Sequence, residues 1–149
     1  MSDFEPEQTT PGRAAPSVAF DRAMAGVDTR CNDLTAVLDS GDLGHVEHAA
    51  RSAVNLWLTG RSACRRIVER ERPNSPQVAV ARQRLNAAYV RLLDLLGRAY
   101  ACAGDHTTRS QLDDVRIELV TAAAQPINDA KAAVEVKRID DTQEMDIDD

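Results

Sequence analysis

Three histidines are the side chains of this sequence best suited to bind a transition metal or to respond to pH. His45 and His48 are three residues apart, which places them side by side on a helix face, and His106 is the third. Acidic residues and a cysteine occur near them, but no closely spaced ligand pair such as Cys-x-x-Cys is present. We therefore predict no metal and no cofactor, and these three histidines are the candidates if a metal does bind.

A cluster of arginines is the second group that could do chemistry. Guanidinium groups bind phosphates and carboxylates through paired hydrogen bonds, so the cluster is a candidate contact for a polyanion or for the chain's own acidic C-terminal tail. Nucleic acid would be held by its backbone, because no aromatic residue is interleaved for base stacking. The alternative is structural, since cations near a helix C-terminus offset the helix dipole. The members are Arg61, Arg65, Arg66, Arg70, Arg72, Arg82 and Arg84.

The sequence shows no arrangement typical of an enzyme. Serine, histidine and acidic residues are present, but none has the spacing of a nucleophile with its base. The glycines are isolated, so no glycine-rich phosphate loop is present either. We predict that the protein is not an enzyme.

The elements that must position these groups are helices. Apolar residues recur at alternating spacings of three and four through three stretches, and an average of 3.5 is typical of helix bundles and foreign to strands. These apolar seams are Phe20, Met24, Val27, Cys31, Leu34 and Leu38; Leu43, Val46, Ala50, Ala53, Trp57, Gly60, Cys64 and Ile67; and Val78, Ala81, Leu85, Ala88, Leu92, Leu95, Ala99 and Cys102. The three cysteines are therefore expected to be reduced core residues.

Start and stop signals predict four helices. Pro16 begins the first, which ends at Gly41, and Asp42 caps the second, which continues to Arg72. Ser75 caps the third, which runs to about residue 103. Short connections force neighbouring helices to be antiparallel. The predicted fold is thus an all-α, up-down four-helix bundle.

Asp105 and the residues up to Thr108 offer several caps for the fourth helix, which begins between residues 106 and 110, and Pro126 interrupts its pattern. A kink or a break is expected there, since proline removes a helical hydrogen bond. We predict a bundle over residues 16–138, with a flexible tail at 1–15 and an acidic tail at 139–149. Both tails are expected to be disordered.

The third helix carries more apolar residues than one seam requires. The extra residues lie one position beyond the seam, and they widen its apolar face. Either this helix is the most buried one, or it contributes to a protein interface, and Trp57 has the same two alternatives. The candidate interface residues are Trp57, Tyr89, Leu93, Leu96 and Tyr100.

Composition limits the function classes further. The chain has 149 residues, a net charge of −6 and few aromatic residues, which suits one helical domain. It contains no apolar stretch long enough for a membrane span and no secretory leader, so a cytoplasmic location is predicted. We expect an adaptor, assembly factor or regulator that acts through protein contacts and forms a homo-oligomer. The alternative is an arginine-mediated binder of nucleic-acid backbone or another polyanion.

Overall fold

The computed structural model describes residues 15–72 and 74–127, and it confirms an all-α four-helix bundle. The helices are α1 (Pro16–Ser40), α2 (Val46–Arg70), α3 (Pro76–Cys102) and α4 (His106–Ala124). Connections of three to five residues join them, so consecutive helices run antiparallel. The predicted tails at 1–14 and 139–149, and the bundle residues 128–138, lie outside the described residues.

The two middle helices form the centre of the bundle. Both α2 and α3 pack against all three other helices, whereas α1 and α4 barely touch each other. Therefore α1 and α4 lie on opposite sides of the α2–α3 pair. This arrangement explains the wide apolar face of α3, because that helix must cover partners on both of its flanks.

The apolar seams form the core. Phe20, Val27, Leu34, Trp57 and Leu92 are each at most 2% exposed, and the other seam residues of α1, α2 and α3 are buried or half-buried with one exception. Leu112, Val115 and Leu119 add the contribution of α4. Burial of this apolar surface is the main force that holds the four helices together.

The exception is Cys102, whose predicted place in the core is wrong. It is the last residue of α3 and is exposed, because the chain turns away there toward the start of α4. Cys31 and Cys64 are buried and reduced. Burial raises the pKa of both buried thiols above the ordinary value of 9.0.

Arginines of α3 bond aspartates of α1 at intervals of about one heptad. The pairs are Arg84–Asp21 (2.6 Å), Arg91–Asp28 (2.5 Å) and Arg98–Asp39 (3.8 Å). Two of these pairs have the same sequence separation, which is the pattern of two parallel helices in register. The side chains are largely exposed, so each pair contributes at most about 1 kcal/mol and serves mainly to set register.

The caps of three helix ends agree with the sequence. Gly41 has a φ of 76°, and its N–H donates to the carbonyl oxygen of Val37. The Ser75 hydroxyl accepts from the N–H of Gln77 at 3.1 Å, directly before the proline that begins α3. Asp105 accepts from the N–H of Thr108, and this bond lowers the pKa of the Asp105 carboxyl.

Two predicted helix ends differ from the structure. Asp42 does not cap α2, because its carboxylate accepts from Gly44 in the loop and α2 begins four residues later at Val46. The same helix ends at Arg70 rather than Arg72. The predicted interruption at Pro126 agrees with the end of α4 at Ala124, two residues before the proline, and residues 128–138 lie outside the described part of the chain.

The two glycines Gly41 and Gly97 give a matched test of the backbone. Gly97 lies inside α3 with no atom within 4 Å of an added Cβ, whereas Gly41 is left-handed. We expect Gly41→Ala to lower the free energy of unfolding by about 1 kcal/mol, and Gly97→Ala to raise it by about 0.5–1 kcal/mol. Urea unfolding followed by circular dichroism measures both, and changes of equal sign would contradict the assigned helix end.

The cysteines give a test of burial. We expect a thiol reagent to label Cys102 in the folded protein and to label Cys31 and Cys64 only after unfolding. Because the folded state keeps both buried thiols protonated, their contribution to stability is complete below pH 9.0 and is lost as the pH rises above it. Urea unfolding across this range measures the loss. This pH-dependent loss of stability should be smaller in the double variant that carries Cys31→Ala and Cys64→Ala. It should persist in the Cys102→Ser variant.

Candidate protein-binding cleft

A cleft opens where α4 ends. With 19 residues, α4 is shorter than α2 and α3, which have 25 and 27, so it covers only part of their joint face. The chain then crosses this face through Gln125, Pro126 and Ile127. The cleft has a volume of about 410 Å³ and lies between α2, α3 and this crossing segment.

Arg61 forms one wall of the cleft. It is 8% exposed, and within the described residues it is the one charged side chain that is buried. Its Nη2 donates to the carbonyl oxygen of Gln125 at 2.7 Å. Burial lowers the pKa of the Arg61 guanidinium, and the neighbouring positive charge of Arg65 lowers it further.

The positive charge of this wall has no acidic counterpart in the described structure. No carboxylate of residues 15–72 or 74–127 forms an ion pair with Arg61. Arg82 also lines the cleft, and none of the lining residues is acidic. The charges of Arg82 and Arg61 both act on the buried thiol of Cys64, where they oppose the effect of burial on its pKa. The cleft is therefore a region of positive potential.

The other side chains that line the cleft are mostly apolar. The indole Nε1 of Trp57 donates to the carbonyl oxygen of Leu85 at 3.0 Å, which ties α2 to α3. The rings of Trp57 and Tyr89 lie 5.9 Å apart at an angle of 43°, a favourable aromatic geometry. Val120, which is 37% exposed, adds apolar surface from α4. The cleft thus brings two cations, Arg61 and Arg82, together with aromatic and apolar side chains.

The predicted arginine cluster is divided by the fold. Arg61 and Arg82 line the cleft, and Arg65 lies near Arg61. Arg70 and Arg84 instead line a separate hollow of about 730 Å³ beside α1. The remaining two, Arg66 and Arg72, are exposed to solvent.

Arg84 is engaged within the fold. Its guanidinium bonds Asp21 and lies 5.1 Å from the centre of the Phe20 ring. The hollow that it lines also contains Asp21 and Glu71, so its charges are balanced. The seven arginines of the predicted cluster therefore do not form one continuous basic surface.

The predicted interface residues lie in different environments. Trp57 and Leu96 belong to the core, and Tyr89 and Leu93 are half-buried. Tyr100 is 46% exposed, with the guanidinium of Arg109 6.0 Å from its ring centre. Of this set, Trp57 and Tyr89 line the cleft.

The three histidines do not form a site in the described structure. All are exposed: His45 is the cap residue of α2, His48 lies in the first turn, and His106 begins α4. Among residues 15–72 and 74–127, no group of three potential ligands is close enough to hold a metal ion.

Sequence reasoning missed the segment that closes the cleft. Pro126 indicated that α4 is interrupted, but nothing in the local pattern showed that Gln125 and Ile127 pack over α2 and α3. Arg61 was expected at an exposed helix end, and its burial depends on the bond to Gln125, 64 positions away.

Comparisons add no relative from which a role could be transferred. No family model matches the chain, and no curated protein or solved structure matches it. None of the described helices is long and apolar enough to cross a membrane.

Arg61 allows a direct test of the uncompensated charge. We expect Arg61→Met to leave the free energy of unfolding unchanged or to raise it by up to about 1 kcal/mol, because relief from desolvation offsets the lost hydrogen bond. Arg61→Ala should cost about 1–2 kcal/mol, since the packed side-chain stem is also lost. Urea unfolding measures both changes.

The exposed Arg66→Met variant is the control for the change of charge. A loss above about 3 kcal/mol in Arg61→Met would contradict the interpretation, because that is the cost of leaving a buried partner charge unpaired.

Proposed function

We propose that this protein is a non-catalytic binding protein that holds an acidic segment of a protein partner in the cleft between α2, α3 and the end of α4. An adaptor, assembly factor or regulator works in this way. The observation that carries the proposal is the buried Arg61, which forms no ion pair within the described residues and lines the same cleft as Trp57 and Tyr89.

The charge of the cleft favours a carboxylate as the recognised group. A guanidinium has five N–H donors, and one hydrogen bond of Arg61, to a carbonyl, is seen in the structure. Its remaining N–H groups can donate to the two oxygens of a carboxylate in a paired geometry, and Arg82 can bind a second carboxylate. Because Arg61 has already lost most of its solvent, such a bond is stronger there than at an exposed arginine.

The apolar wall favours an apolar side chain next to the carboxylate. The half-buried Tyr89 and the exposed Val120, which lie beside the buried Trp57, offer a surface of the kind that anchors residues at protein interfaces. A volume of about 410 Å³ lies in the usual range for sites that hold a small ligand. The cleft therefore suits a short peptide segment better than a whole docked helix.

The side chains that line the cleft support binding rather than catalysis. They include no serine, threonine, cysteine, histidine, aspartate or glutamate, and Tyr89, which could act as a nucleophile or base, has none of these residues beside it in the lining to activate it. The proposal is therefore for recognition without a chemical step, in the cytoplasm.

Polyanion binding is the second candidate, and it rests on a different surface. Arg65, Arg66, Arg70 and Arg72 are exposed toward the end of α2. Phosphates of a nucleic acid would contact these side chains, and the affinity would fall steeply with salt. The cleft would play no part in this binding, so substitutions separate the two candidates.

We also expect the protein to self-associate, although the exposed part of the predicted α3 interface is smaller than the sequence indicated. Leu96 is buried, and Tyr89 and Leu93 are half-covered, which leaves Tyr100 as the exposed member of the predicted interface. Light scattering coupled to size exclusion, compared with Tyr100→Ser, tests whether α3 joins two copies.

The proposed function is tested by selecting peptides from a random library displayed on phage against the full chain. We expect the selected peptides to carry acidic residues beside isoleucine, leucine or methionine. Arg61→Met should weaken their binding about tenfold or more, because a charged hydrogen bond in the cleft is lost. Arg66→Met, with the same change of charge on the exposed side of α2, should bind as the original protein does.

Two results would count against the proposal. One is selection of peptides whose binding is insensitive to Arg61→Met. The other is salt-sensitive binding of labelled duplex DNA that Arg66→Met weakens and Arg61→Met does not, which would favour the polyanion candidate.

A further inference from the structure

We infer that residues 139–149 of this chain occupy the same cleft within their own molecule and compete there with the partner. The inference rests on the proposed function and identifies a regulator of that site. It makes the protein self-limiting, since a partner must displace the chain's own acidic segment before it can bind.

The position of the cleft in the chain is the first argument. The described structure ends at Ile127, which itself lines the cleft and is 9% exposed. Gln125, two residues earlier, is bonded to Arg61. Everything that follows in the sequence therefore starts at the edge of the cleft.

Charge complementarity is the second argument. Residues 139–149 contain six acidic side chains and no basic one, whereas the cleft contains Arg61 and Arg82 and no acidic residue among those that line it. Carboxylates of this segment can supply the counter-charge that Arg61 does not receive from the described residues.

The order of residues in the segment is the third argument. The sequence Ile-Asp-Asp occurs twice, at 139–141 and at 147–149. Each copy places one apolar side chain directly before two carboxylates. This is the combination that the cleft is expected to recognise, with the isoleucine against Trp57 and Tyr89 and a carboxylate against Arg61.

The connecting length permits the contact. Ile139 follows Ile127 by 12 positions, and a stretch of that length reaches about 40 Å at most, which includes the whole cleft. A segment tethered so closely has an effective concentration in the millimolar range. Even a weak cleft–segment contact would then be populated, and a partner would need a higher affinity to compete.

The test compares peptide binding to full-length variants. In the tail variant, Asp140→Asn, Asp141→Asn, Asp148→Asn and Asp149→Asn remove the carboxylates of both Ile-Asp-Asp copies. The control variant, Glu69→Gln, Asp94→Asn, Asp114→Asn and Glu118→Gln, makes the same change of net charge at exposed positions outside the cleft. The probe is a fluorescent peptide with the sequence of residues 139–149, and anisotropy measures its binding.

We expect the tail variant to bind the probe about tenfold or more tightly than the original protein and the control variant do, because the tethered competitor is lost. Trp57, the single tryptophan, gives an independent signal. Its emission should shift with added salt in the original protein and not in the tail variant.

Equal affinity of the original protein and the tail variant would overturn the inference while the proposed function stands. The same holds if the library peptides bind the cleft and the probe does not. If neither class of peptide binds, both proposals fail. A dimer that depends on residues 139–149 in light scattering would overturn the intramolecular contact, because the segment would then occupy the cleft of a second copy.

Discussion

The end of α4 before Pro126 is the constraint on which the candidate site depends. Proline cannot supply the backbone donor that a helix needs, and its ring also restricts the residue before it. The fourth helix therefore stops while α2 and α3 continue, and part of their joint face is left to be covered by an irregular segment. The cleft, the burial of Arg61 and its bond to Gln125 all follow from this single interruption.

Arginines on the opposite side of the bundle are paired with aspartates, in contrast to Arg61 in the cleft. On the far side of the α2–α3 pair, Arg84, Arg91 and Arg98 are each bonded to an aspartate of α1, so the parallel helix pair is close to neutral there. No comparable acidic partner reaches Arg61 among the described residues. An anionic ligand would consequently be drawn to one side of the bundle, although the protein as a whole carries a net charge of −6.

In the proposed function, the cleft combines strength and selectivity because its arginines and its aromatic residues favour different groups of a ligand. A buried guanidinium strengthens a hydrogen bond to a carboxylate, and it penalises any ligand that leaves the cation without a partner. The Trp57 side chain is held in place by its hydrogen bond to the carbonyl oxygen of Leu85, so it loses no conformational freedom when a ligand binds. A segment that is only acidic pairs with the arginines alone, and a segment that is only apolar contacts the aromatic residues alone. Discrimination arises because both are required.

The sequence alone was sufficient to predict the number of helices, most of their boundaries and most of the core. Helical periodicity and caps are local properties, which explains why Gly41, Ser75 and Asp105 act as expected. Cys102 shows the limit of periodicity, because a seam position at a helix end is buried only if another helix extends over it.

Only the tertiary structure decided which polar residues belong together. The seven arginines are close in sequence, yet the fold sends Arg84 to α1, leaves Arg66 in solvent and buries Arg61. The physical reason is that the exposure of a side chain depends on what packs above it. For Arg61 that covering group is Gln125, a residue 64 positions away whose path no local pattern specifies.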